Sequence, residues 1–343
     1  QINAYVGSDT EVTAQELNIK AEKKRVDMSD FSIGFDFEEN EFTKNIFEGL
    51  ELLNFIACNN YYGDAIAGSA QSGDAAIAGA FVVIVLNNAT NAYIGDGAVL
   101  NIRGNINIDS KSDVNAKAFG GAVAFANKAG VGITTVNIIN FDAVRAYIGE
   151  EAIVISDGNI RIVADADQEF TIISVSAGGA SKAGVSGVFD LLLNFNSSEA
   201  YIGSNAEVKA ECDILINASN DTEAYLVAGG GAGGGTAGVG GSIAVIIARN
   251  NTLAYIADDS MVDAGGTLSI NALNNLLSIS AVISGAGGGK AGVAASLSVK
   301  TIESNTLAYI GPGAVINGDP AYRTTDQAIS ITAVDDSILV GVV

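Results

Sequence analysis

The sequence predicts an all-β chain wound as a parallel β-solenoid, and three observations predict it. Tyrosines stand at 93, 147, 201, 255 and 309, a constant step of 54, each in the frame Ala-Tyr-Ile-Gly, with Ala257 replacing the glycine once. Aliphatic residues follow every tyrosine at fixed offsets, in the alternation of a strand with one face inward. Composition outside one segment is that of a uniform array, with 41 glycines and only 2 prolines in the whole chain. Fixed-period self-similarity of this kind is the mark of stacked repeats.

Each offset supports one element. Seven residues after the tyrosine come Val12, Leu100, Val154, Val208, Val262 and Ile316. Thirteen and fifteen residues after it come Ile106 and Ile108, Ile160 and Ile162, Ile214 and Ile216, and Leu268 and Ile270. The first unit carries Leu17 and Ile19 one position earlier, and the last carries Ile329 and Ile331 after about seven extra residues. A small-residue stretch then leads into a longer strand, anchored by Gly130, Gly184, Gly238 and Gly292 in Lys/Thr-Ala-Gly-Val frames. Glycine there permits close backbone approach and corner conformations. Asn250-Asn251-Thr252 suits a turn before the tyrosine strand.

A 54-residue unit is divided on this reading into two coils of about 27 residues with three strands each. Coils stacked at about 4.8 Å would advance the rod by roughly 10 Å per unit. The tyrosines would then recur every second coil, as a stripe of rings that do not touch. A helical solenoid lacks its i, i+3, i+4 pattern here. A propeller would close, whereas these units run off both ends, so the chain 1–343 reads as one solenoid fragment that continues into further repeats.

The first tyrosine, Tyr5, precedes Tyr93 by 88 residues, which is 54 plus an insertion of 34, assigned to 29–62. Six of the 13 phenylalanines fall in it, and seven acids face Lys44 alone. Thr43 to Ala57 places Ile46, Leu50, Leu53 and Ala57 on one helical face, with Thr43 as N-cap, predicting a short helix at about 43–57. Its residues Phe35, Phe37, Glu38, Glu39, Phe42 and Phe47 are the candidate partner contact, because repeat proteins place binding insertions on exposed loops. Packing of this helix against the solenoid flank is the alternative.

Chemistry is sparse. There is no histidine, which removes the commonest general base and metal ligand. Cys58 and Cys212 fit neither a disulfide framework nor a zinc spacing. The carboxylate pairs Asp165 with Asp167 and Asp258 with Asp259 are the candidates for glycoside cleavage, but Asp167 recurs 54 residues apart as Asp113, Asp221 and Asn275, as solvated edge charges do. The expectation is a non-enzyme with no catalytic, cofactor or metal site. A formal net charge of −22 opposes nucleic acid and anionic lipid as partners, and no apolar run is long enough to span a membrane as a helix.

The stretches Asn-Asn-Thr-Leu-Ala-Tyr-Ile (250–256), Ala-Gly-Gly-Thr-Leu-Ser-Ile-Asn-Ala (264–272) and Lys-Ala-Gly-Val (290–293) resemble repeat units of giant secreted bacterial adhesins, of the filamentous-haemagglutinin and autotransporter-passenger type. The resemblance covers nearly the whole chain outside 29–62. It implies a right-handed β-helix stalk exported across a Gram-negative outer membrane and displayed at the cell surface. The implied partner is a protein or glycan of host cells, other bacteria or matrix. A carbohydrate-active β-helix enzyme and a purely structural surface-fibre module are the alternative readings.

Overall fold

The computed structural model describes residues 1–24, 61–325 and 327–343. The predicted helix at 43–57, the candidate contact residues Phe35 to Phe47 and Cys58 lie outside the described residues.

The described chain is a parallel β-solenoid, and its 54-residue repeat is one coil, not two. In the central coil, β11 (Ala183–Ile202) runs into a corner, then β12 (Glu207–Ala210), a second corner, and β13 (Ile214–Gly234). The chain turns back through Gly235 and Thr236 into β14 (Ala237–Ile256), one coil on. Preceding coils comprise β5 (Ala75–Ile94), β6 (Val99–Ile102) and β7 (Ile106–Ala126), then β8 (Ala129–Ile148), β9 (Ile153–Ser156) and β10 (Ile160–Ala180). Following ones comprise β14, β15 (Met261–Ala264) and β16 (Thr267–Gly288), then β17 (Ala291–Ile310), β18 (Val315–Ile316) and β19 (Ala328–Val342). The first coil holds β1 (Ile2–Val6), β2 (Glu11–Ala14), β3 (Leu17–Lys23) and β4 (Tyr61–Ala70).

Every strand pairs in parallel with its copy one repeat away: Tyr147 with Tyr201, Val154 with Val208, Ile160 with Ile214. Three sheets result: a tyrosine sheet (β1-β5-β8-β11-β14-β17), a facing sheet (β3 and β4, then β7-β10-β13-β16-β19) and a short end sheet (β2-β6-β9-β12-β15-β18). The two-coil expectation fails because the inward rows of the long strands are not uniformly apolar. Asn250-Asn251-Thr252, read as a turn, lies inside β14, with Asn250 buried and donating to Asn274 Oδ1 at 3.2 Å.

The coil tapers from one end to the other. At the end sheet, three strands enclose large aliphatics such as Ile148, Val154, Ile160 and Ile202. Next comes a polar layer. Asn140 donates to Asn194 at 2.9 Å and Asn220 to Asn274 at 2.6 Å, one coil apart, and Asn194 donates to Gln168 at 2.9 Å across the core, so these three amide N–H groups each find an acceptor within the layer. A second apolar cluster with Phe170, Ile172 and Leu192 follows, and then alanines and glycines at a tip where the two long sheets converge.

Tip and corners use glycine differently from the sequence expectation. None of Gly130, Gly184, Gly238 and Gly292 lies in the left-handed region; they are there because a Cβ would strike backbone of the facing sheet. The left-handed corner is instead the column Asp9, Gly97, Glu151, Asn205, Asp259 and Gly313, four residues after each tyrosine.

Register also locates the insertion. Lys23 pairs with Ser112 and Tyr61 with Ala116, so only Asp113, Val114 and Asn115 of β7 separate the two pairings. Tyr61 and Tyr62, which the sequence boundary 29–62 included, are coil residues that begin β4. The seven extra residues near the end form a loop with a 3-10 turn at Pro320–Tyr322, held to the end sheet by Lys209 Nζ, 2.9 Å from Asp319.

Candidate functional site

The Ala-Tyr-Ile frame places alanine and isoleucine inward and tyrosine outward, because successive strand residues alternate faces. One repeat being one coil, the six tyrosines form a continuous ladder on the outer face of the tyrosine sheet. Their ring centroids are 4.8–5.0 Å apart and their planes differ by 1–5°. The sequence-based picture of a stripe of separated rings is thereby corrected. Stacking occupies the faces of the inner rings, so their edges and hydroxyls are what the solvent meets. Burial by neighbouring coils pushes the phenols of Tyr147, Tyr201, Tyr255 and Tyr309 up, Tyr255 to about 12, so these four stay neutral donors near neutral pH.

Beside the ladder runs a polar column: Asn91 donates to Asn3 at 2.9 Å, and Arg145 Nε pairs with Glu199 at 3.1 Å. A shallow depression of about 450 Å³ lies there, between Arg145, Glu199, Tyr147 and Tyr201. A second depression, of about 440 Å³, is walled by the stacked rings of Phe141 and Phe195, 5.3 Å apart, and by Arg249, with Ala143 at its floor. Neither gathers a set of groups fit for acid–base or nucleophilic chemistry.

The outer face of the facing sheet is acidic. Asp113, Asp167 and Asp221 form one column, and Glu169 and Glu223 lie in the next. Lys111 reaches Asp165 at 3.1 Å, Ser219 Oγ donates to the same carboxylate at 2.8 Å, and Lys117 is 3.8 Å from Glu169. Asp165 and Asp167 sit on this open sheet face, while Asp258 and Asp259 occupy the corner after β14. Among the described residues, no group of three or more acidic or cysteine side chains is arranged to hold a metal ion. No family model, curated protein or solved structure matches this chain.

Sequence reasoning missed the broadest feature of the surface. Toward the tip, the outer face of the tyrosine sheet carries an apolar belt. Ile77, Phe81 and Val85 of β5 are 73%, 69% and 62% exposed, and Phe189, Val239, Ile243, Val293 and Leu297 of later coils are also exposed. The signal was present as unbroken apolar runs, Val82 to Leu86, Leu191 to Leu193 and Val245 to Ile247. A strand covered on one face alternates; these runs are apolar on both.

Proposed function

We propose that this chain is a stalk segment of a surface-displayed or secreted bacterial adhesin, whose mechanical role is reach. The supporting observation is the one-coil pairing that the described strands keep from Ile2 to Val342. Each coil pairs with the next along three strands, so length is added by repetition. An open edge persists only at the two ends of such a rod, and the acidic outer face of the facing sheet keeps neighbouring rods apart in solution. Attachment to a host, bacterial or matrix surface then depends on what the stalk presents.

Excising 54 residues in register, 183–236, is expected to leave a cooperatively folding protein with a five-ring ladder, shortened by about 4.8 Å. Small-angle scattering and thermal unfolding read both properties; a shortening of twice that size, or an unfolded product, defeats the one-coil rod. For display, antibodies raised against this chain are expected to label intact producing cells. Labelling only after lysis would remove the adhesin reading and leave the rod.

A further inference from the structure

We propose that the apolar belt on the tyrosine sheet is a self-association surface, on which two copies of this chain pack sheet face to sheet face. The belt has five columns and five coils. Its columns run from Ile77, Val131, Val185, Val239 and Val293 at the tip to Val85, Ile139, Leu193, Ile247 and Thr301 near mid-sheet. At strand and coil spacings it covers roughly 25 by 30 Å, on the order of 750 Å². A stable interface of standard size takes about 800 Å² from each partner, and a patch this large on a monomer is above what solvent normally meets.

Three further observations favour a second copy as the occupant. The belt contains no charged residue, in a chain of net charge −22; two copies repel through the acidic face but not through this one. Successive tyrosine rings on the same sheet differ by no more than 5°, so neighbouring coils twist little against one another, and a face of low twist can lie along its own copy. Its relief has room for a partner. Gly79, Gly187 and Gly241 open a furrow in which an added Cβ meets at most an atom 4.0 Å away, beside a ridge of Phe81, Phe189, Ile243 and Leu297; Ile133 and Thr135 interrupt furrow and ridge on one coil. Glycine weakens a strand and nothing within the chain requires it at these three positions, so the furrow leaves room for the ridge of a partner. In the column next to Ile247 and Thr301, the Arg249–Glu303 ion pair supplies a polar rim.

The test is sedimentation velocity of the full chain across the micromolar range, at low and high salt. A concentration-dependent dimer is expected, tighter at high salt where like-charge repulsion is screened. Leu193→Glu, outward on the middle coil of the belt, is expected to weaken the dimer by at least ~tenfold. Val245→Glu gives the same result independently should the first variant fold poorly by circular dichroism. Thr171→Glu on the outer face of the facing sheet carries the same added charge and is expected to dimerise as the parent does. A parent that stays monomeric overturns the proposal. So does association that survives both belt variants, which would place the contact at an open edge such as β17, and so does binding of the monomer to zwitterionic vesicles in place of dimerisation.

Discussion

Gly184→Val is expected to cost ~3 kcal/mol or more, the upper range for overpacking a filled core. Near the tip the tyrosine and facing sheets approach so closely that a Cβ on Gly184 would sit 2.5 Å from the carbonyl oxygen of Gly178 and closer still to that of Gly233. Both obstacles are backbone, so no rotamer change relieves them. The sheets must be pried apart at the point where neighbouring coils also place Gly130 and Gly238, each of which a Cβ would bring equally close to facing carbonyls. Gly187, three residues along the same strand, faces outward, with its nearest neighbour, Ile133, at 4.0 Å. Gly187→Ala is therefore expected to be neutral or slightly stabilising, since alanine loses less backbone freedom on folding. Urea midpoints of the two variants against the parent separate crowding from propensity; equal effects would mean that the tip is not filled.

This contrast also shows what could be read before the structure. The 54-residue step, the inward rows beginning at Ile106, Ile160 and Ile214, and the frame around Gly184 all emerge from sequence, because each recurs in strict register. The number of coils per repeat did not. Counting strands by hydrophobic alternation assumes an apolar interior, and here the interior carries Gln168, Asn194, Asn196, Asn220 and Asn250. These amides are tolerated because each finds its partner in an adjacent coil or across the core. A strand of about 20 residues thus reads as shorter strands broken by asparagine turns. The apolar belt escaped for the complementary reason. The outward residues Leu191, Leu193, Val245 and Ile247 lie in runs whose buried neighbours Leu192 and Ile246 already account for a core strand.

Asp190 carries the largest expected pH effect. It is fully buried at an inward position of β11, in a column whose other members are Val82, Val136, Ala244 and Ser298. Its one side-chain hydrogen bond is from the Ser174 hydroxyl. Burial pushes the carboxyl from its ordinary 3.8 up to about 7, against the smaller opposing pull of that hydrogen bond. The unfolded chain therefore gives up this proton near 3.8, while the folded coil keeps it until about 7. Between those values folding takes up a proton, so the contribution of Asp190 is fully present below the lower value and is lost as pH rises through the upper one. Three pKa units correspond to at most about 4 kcal/mol. Asp142, buried in the same sheet, is shifted in the same direction, so the pH profile of the parent alone does not isolate Asp190. Asp190→Val, which restores the side chain of Val136 one coil earlier, does isolate it. The variant should exceed the parent in stability above neutral pH by a few kcal/mol, with the difference shrinking toward about pH 4. Denaturant titrations of both proteins across that range measure the gap directly. A gap that stays constant with pH would mean that Asp190 is ionised in the folded coil, its charge met by something other than Ser174.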